Sequence, residues 1–154
     1  MKAIPQVLFH VCEGEVRDIQ LKCTTSPLDV TKSLHTEPLS ISLLSGLVML
    51  DGFVYAVGGW EGRSRLDSVE CYNPHANCWQ FTESVKMAVT SPAVVALDGL
   101  LYVTGGAVLE DGDGTDLAQV YNPKTSVWTE VTSMQIARSG SAACTLKGKI
   151  YVIG

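Results

Sequence analysis

The sequence predicts an all-β chain assembled from repeated four-stranded units. Three observations carry that expectation. A strand ending in glycine recurs three times at nearly constant spacing, and a Tyr-Asn-Pro turn followed by Trp recurs twice in phase with it. No stretch sustains the 3.6-residue periodicity of an amphipathic helix.

The recurring strand is Leu50-Asp51-Gly52-Phe53-Val54-Tyr55-Ala56-Val57-Gly58-Gly59, then Leu97-Asp98-Gly99-Leu100-Leu101-Tyr102-Val103-Thr104-Gly105-Gly106. The third copy, Leu146-Lys147-Gly148-Lys149-Ile150-Tyr151-Val152-Ile153-Gly154, runs to the last residue, and the offsets are 47 and 49. The second element is Tyr72-Asn73-Pro74 with Trp79, repeated as Tyr121-Asn122-Pro123 with Trp128, both at an offset of 49. The two-residue difference in period therefore falls between the glycine pair and the Tyr-Asn-Pro. Elements keep their length while a loop varies, as copies of one fold do.

Taken in order, residues 44–50, 92–97 and 140–146 are mostly small or apolar and read as first strands. Asp-Gly or Lys-Gly then makes a tight hairpin turn. The second strand, such as Phe53 to Val57, is aromatic and β-branched and stops at the glycine pair. The third strand runs through Val69 to Tyr72 or Leu117 to Tyr121, and Asn-Pro turns it back. The fourth holds the Trp, over Cys78 to Thr82 and Val127 to Val131. Four strands in about fifty residues is the size of one propeller blade.

A diglycine after an aromatic–aliphatic strand, then Tyr-Asn-Pro, then Trp seven residues after the Tyr, resembles the kelch repeat. Leu-Asp-Gly, Val69-Glu70-Cys71-Tyr72-Asn73-Pro74 and Ala137-Arg138-Ser139-Gly140 resemble the kelch-like proteins in particular. Those are BTB–BACK–kelch adaptors of cullin-based ubiquitin ligases. The resemblance implies a partial kelch β-propeller, with two full four-stranded blades plus parts of one or two more. Repeats are expected at about 43–91, 92–139 and 140–154, the last truncated. Residues 1–42 form an atypical segment, read either as a worn preceding blade or as an unrelated stretch. Since 154 residues hold about three repeats and a ring needs four to eight, the chain is expected to be a fragment without BTB and BACK regions.

Composition limits the function. Apolar residues are 46% and charged residues 18%, which suits a globular core rather than disorder. A net charge of −5, with eleven scattered Lys and Arg, argues against nucleic-acid and membrane-surface partners. No apolar run is long enough for a spanning helix or a signal peptide, and no Asn-x-Ser/Thr acceptor occurs. The five cysteines, Cys12, Cys23, Cys71, Cys78 and Cys144, include no C-x-x-C pair, so thiols in a reducing cytoplasm are expected. Cys71 and Cys78 are the pair a hairpin would bring nearest each other.

Several residue groups invite chemical readings. Gly58, Gly59, Gly105 and Gly106 imitate a phosphate loop, but no helix follows to supply aligned amides, so they read as structural. Tyr72, Trp79, Tyr121 and Trp128 read as packing between blades rather than a ligand cage, because they are phased with the repeat. Asp111 to Asp116 lacks the glycine and the terminal Glu of a calcium loop at the required positions, so it reads as a solvated loop and the place of the insertion. His10, His35 and His75 do not repeat, and none stands with a Ser, Cys or acid in a recognisable nucleophile arrangement. No enzyme, cofactor or metal is expected. A galactose-oxidase-like propeller would need Tyr, Cys and His ligands gathered on one face, and the sequence shows no such gathering.

The kelch-like resemblance places partner binding on the loops joining strands two to three and strands four to one. On this chain these carry Arg63, Arg65, Thr90, Asp111, Asp113, Arg138 and Ser139. The arginines suit an acidic peptide, while the acidic loop would repel one or select a basic patch beside it. The expected partner is a protein or peptide degron, with cullin reached only through the BTB and BACK regions; an actin-binding scaffold is the alternative.

Overall fold

The computed structural model describes residues 44–108 and 113–154. The readings made for residues 1–42 and for Asp111 lie outside them. The described chain is all-β, with ten strands: β1 Gly46–Leu50, β2 Phe53–Val57, β3 Val69–Asn73, β4 Cys78–Phe81, β5 Ala93–Leu97, β6 Leu100–Thr104, β7 Ala118–Asn122, β8 Val127–Val131, β9 Ala142–Leu146 and β10 Lys149–Ile153. They form two four-stranded antiparallel sheets, β1-β2-β3-β4 and β5-β6-β7-β8, and one pair, β9-β10. Each sheet is a blade, and β1 lies beside β5 as β5 lies beside β9, so the first strands line the axis of a partial propeller.

Turn chemistry sets the hairpins. Asp51-Gly52, Asp98-Gly99 and Lys147-Gly148 all have positive φ at both positions, the geometry of a two-residue type I′ turn. Between β3 and β4, the Asn73 carboxamide accepts the amides of His75 (2.9 Å) and Ala76 (3.2 Å). In the second blade Asn122 holds the Lys124 amide at 3.0 Å.

The first strands of the first and third repeats begin later than the sequence suggests, because Leu44 and Gly140 take left-handed φ of 62° and 67° and no strand can pass through them; Ser91, with φ of 51°, stands at the matching place just before β5. These residues also link successive blades: Ser91 N–H donates to the Leu44 carbonyl (2.7 Å), and Gly140 N–H to that of Ser91 (3.1 Å).

Register gives each blade two faces. On the first blade Leu50, Tyr55, Val57, Val69 and Cys71 share the trailing face, and all are buried. Against them pack Leu101, Val103, Tyr121 and Trp128 from the leading face of the second blade. Tyr55 meets Tyr121 edge-on across the junction, ring centroids 6.4 Å apart. Tyr121 in turn lies 4.9 Å from Trp128, whose indole N–H donates to the Glu83 carbonyl of the preceding blade at 2.8 Å. Gln119, buried in the same junction, accepts the Lys86 amide at 3.1 Å.

Candidate functional site

Antiparallel order sends the connections between second and third strands, and those from fourth to next first strand, to the same end of the arc. Among the described residues the opposite end holds the short Asp-Gly, Lys-Gly and Asn-Pro turns. The β2–β3 connection covers 58–68 and the β6–β7 connection 105–117, so the second is longer by the two residues expected there.

Both connections are built alike. Gly58 N–H donates to Ser68 and Gly105 N–H to Leu117, at 3.0 and 2.9 Å. Leu66 N–H donates to Gly59 and Thr115 N–H to Gly106, each at 2.9 Å, closing the base of the loop. The strand that leaves the blade then clamps this base. Gly59 N–H reaches the Val89 carbonyl and Gly106 N–H that of Arg138, both at 2.8 Å. Val89 and Arg138 return the bond through their own amides, to Leu66 (2.9 Å) and Thr115 (3.0 Å).

The diglycine therefore exists for packing. Gly58 and Gly105 have φ of 61° and 64°. A Cβ on Gly58 would stand 2.4 Å from the Val89 carbonyl oxygen, and one on Gly105 2.6 Å from that of Arg138. Their amides point into the protein, at neighbouring carbonyls, and no helix among the described residues stands behind them.

On this clamped base the two loops present different side chains. In the first, Glu61 N–H donates to the Ser64 carbonyl (3.2 Å), and the Ser64 hydroxyl to the Glu61 carboxylate (2.6 Å). That turn leaves Arg63 exposed at its tip. Trp60 and Arg65 face each other across it, the guanidinium 5.9 Å from the indole centre, a cation–π contact that holds Arg65 half-buried. Trp60 lies in the loop that the kelch-like resemblance assigns to binding but is not singled out there; its signal is an aromatic directly after the diglycine, five residues before an arginine.

In the second blade, Asp113 is exposed and Arg138 half-buried. The Arg138 backbone is engaged with Gly106 and Thr115, and its guanidinium donates to the Gly154 carbonyl. Ser139 beside it is exposed. Thr90 is only 7% exposed, and its backbone exchanges two hydrogen bonds with Ala107, so it bridges blades rather than facing solvent. Arg63 and Arg65 thus belong to the first blade's loop, while Arg138 and Ser139 lie on the connection leaving the second.

Of the packing aromatics, Tyr121 and Trp128 are buried between blades, and Tyr72 and Trp79 are half-buried on the leading face of the first blade, centroids 5.2 Å apart. The Tyr72 hydroxyl donates to Asn77 at 2.7 Å. Cys71, Cys78 and Cys144 are free thiols. Register sets Cys71 opposite Gln80 and Cys78 opposite Asn73. Burial raises the Cys71 thiol above its ordinary pKa, despite a hydrogen bond with Tyr55. Burial likewise pushes the Tyr55 phenol far above its ordinary value, helped by Cys71. A thiol held protonated in this way is a packing group and not a nucleophile.

Among the described residues no three His, Cys, Asp or Glu side chains gather closely enough to hold a metal ion. A shallow depression on the trailing face of the second blade is lined by Leu100, Val120, Asn122, Thr125, Val127 and Thr129, an uncharged set without acid, base or nucleophile.

Comparison with known proteins agrees with this architecture. The Kelch motif family matches residues 44–84 and 88–135. Kelch-like protein 35 of Mus musculus is 47% identical over 70 residues, covering 46% of this chain and 12% of the relative. Kelch-like protein 33 of Homo sapiens is 44% identical over 63 residues, covering 41% and 12%. Kelch-like ECH-associated protein 1B of Danio rerio is 36% identical over 69 residues, again 41% and 12%. The matched stretch is thus about an eighth of the length of these curated relatives. The solved structure of YjhT superimposes with a TM-score of 0.66 at 21% identity, over 75% of this chain and 35% of that one, which speaks to fold alone.

Proposed function

This chain belongs to the kelch-motif family, and on that premise we propose that it is a protein-binding module whose docking surface is the end of the arc formed by the β2–β3, β6–β7 and blade-to-blade connections. One observation carries the reading: the clamped loop base recurs in both blades with the same hydrogen bonds, while the side chains above it differ completely. A conserved framework under variable loops is how a scaffold supports recognition.

The partner that best suits these loops is a peptide with acidic residues. Arg63 and Arg138 supply guanidinium donors able to grip carboxylates in pairs, and exposed Asp113 favours a neighbouring basic residue on the same peptide. Within a longer protein of the kelch-like type, such a face would select substrates for a cullin-based ligase recruited through BTB and BACK regions. The resemblance to kelch-like proteins supports that finer role.

Peptide display against the purified chain tests the docking surface. Enriched peptides should carry paired carboxylates, and their affinity should fall about 10- to 100-fold with Arg63→Ala and Arg138→Ala together, the range for losing a charge-assisted hydrogen bond. Peptides that bind the double variant undiminished would move the surface elsewhere. Recovery of actin in co-sedimentation, with no acidic peptide enriched, would favour a cytoskeletal scaffold instead.

A further inference from the structure

The two docking loops differ in how they are held above their common base. The Trp60–Arg65 bridge encloses residues 61–64, whereas the matching Ala107–Gly114 bridge of the second blade encloses 108–113. The shorter loop is a hairpin in miniature. Gly62 has φ of 93° and Arg63 stays on the ordinary negative side, the pattern of a type II′ turn.

This turn carries an acid of its own beside its basic tip. Glu61 stands two residues from Arg63 and four from Arg65. A carboxylate tethered so closely competes for a guanidinium at an effective concentration on the order of millimolar. Glu61 is engaged otherwise. The Ser64 hydroxyl donates to its carboxylate at 2.6 Å, in the short range of a bond to a charged acceptor, and the Glu61 amide donates to the Ser64 carbonyl at 3.2 Å. Arg65 lies against Trp60, and Arg63 is exposed at the tip.

We propose that Ser64 determines the specificity of this loop by acting through Glu61: its hydroxyl occupies the loop's own carboxylate and so leaves the Arg63 guanidinium to a carboxylate on the partner. The inference rests on the docking surface proposed above and deepens it. Ser64 touches no partner in this scheme; it is a positioning residue. Without its hydroxyl, Glu61 turns to Arg63 and the loop satisfies itself. An acidic partner must then break that pair before it can bind, while a neutral peptide meets no such barrier.

Two measurements on the full chain test this. The first needs no partner and follows the Arg63 side-chain Nε–H signal by heteronuclear NMR. The signal should move in Ser64→Ala, as Glu61 closes on the guanidinium. It should stay close to its wild-type position in Ser64→Thr and in the Glu61→Gln/Ser64→Ala double variant. The second is titration with a labelled peptide bearing two adjacent glutamates, selected by display on the wild-type chain. Ser64→Ala should weaken binding about two- to fivefold, the strength of an exposed ion pair that must be broken first, while Glu61→Gln binds at least as tightly as wild type. The double variant should bind like Glu61→Gln. Losing the hydroxyl then costs nothing once the charge is gone, which a turn-holding or peptide-contacting role for Ser64 would not allow. A double variant as weak as Ser64→Ala overturns the proposal, and so does an Arg63 signal that ignores Ser64→Ala. Binding that falls with Arg63→Ala and Arg138→Ala but not with Ser64→Ala overturns this proposal alone. A wild type that binds no acidic peptide overturns the docking surface together with it.

Discussion

Replacing Gly58 by Ala separates a packing role from a ligand-binding one. The new methyl meets two obstacles. Left-handed φ costs an alanine about 1 kcal/mol or somewhat more. The Val89 carbonyl oxygen, 2.4 Å from the Cβ position, must also retreat, because it is backbone and not the end of a flexible side chain. Forcing atoms into a filled site costs about 1–3 kcal/mol, and the Gly59–Val89 hydrogen bond, worth about 1 kcal/mol, is loosened with it. The sum is about 3–5 kcal/mol. Gly52 is the internal control, since it also has positive φ (83°) but nothing lies within 4 Å of its Cβ position. Gly52→Ala should therefore cost about 1 kcal/mol. At about 3 °C per kcal/mol for a chain of this size, melting points should fall by about 9–15 °C and about 3 °C respectively. Scanning calorimetry reads both. Equal shifts would refute the argument that the blade exit presses on the diglycine.

Three further outcomes follow from the junction between blades and the turns. Trp128→Phe keeps a ring on Tyr121 but loses the bond to Glu83, so it should cost about 1–2 kcal/mol in urea unfolding, more than Trp79→Phe, whose ring is only half-buried; a larger loss at Trp79 would contradict this. Burial holds the Tyr55 and Cys71 protons in the folded chain past the ordinary values of 10.0 and 9.0, so the native state binds protons that the unfolded chain gives up. Their contribution to stability is then complete below about pH 9 and falls as pH rises beyond it; Tyr55→Phe should flatten the decline above pH 10 in urea midpoints, and an unchanged slope would count against the buried phenol. Asn122→Ala removes the acceptor for the Lys124 amide and should cost about 1 kcal/mol, with the β7–β8 hairpin the first to lose amide protection.

Much of the blade was legible because its punctuation is local. Asp-Gly dictates a two-residue turn, and the diglycine marks a strand end, so β2 falls on Phe53 to Val57 as read. Where the reading slipped, the cause lay between blades. Leu44 and Gly140 look like ordinary strand residues, yet the bonds that tie blade to blade hold them in left-handed conformation. Thr90 shows the same limit. Its offset placed it beside the loops, and only the Ala107 pairing reveals that it is enclosed. Arg65 was visible as a charge but not as a stacked one, because Trp60 has no aromatic counterpart in the second blade, where Ala107 stands.

The line of bonds from Gly140 through Ser91 to Leu44 runs along the innermost edge of the fold, whereas β4 and β8 stand at the rim, each with one side unpaired among the described residues. Wear should therefore start from outside. Proteases and exchanging solvent would open the Trp-bearing strands first and reach the axis last, so a trimmed molecule would keep its hub after losing its circumference.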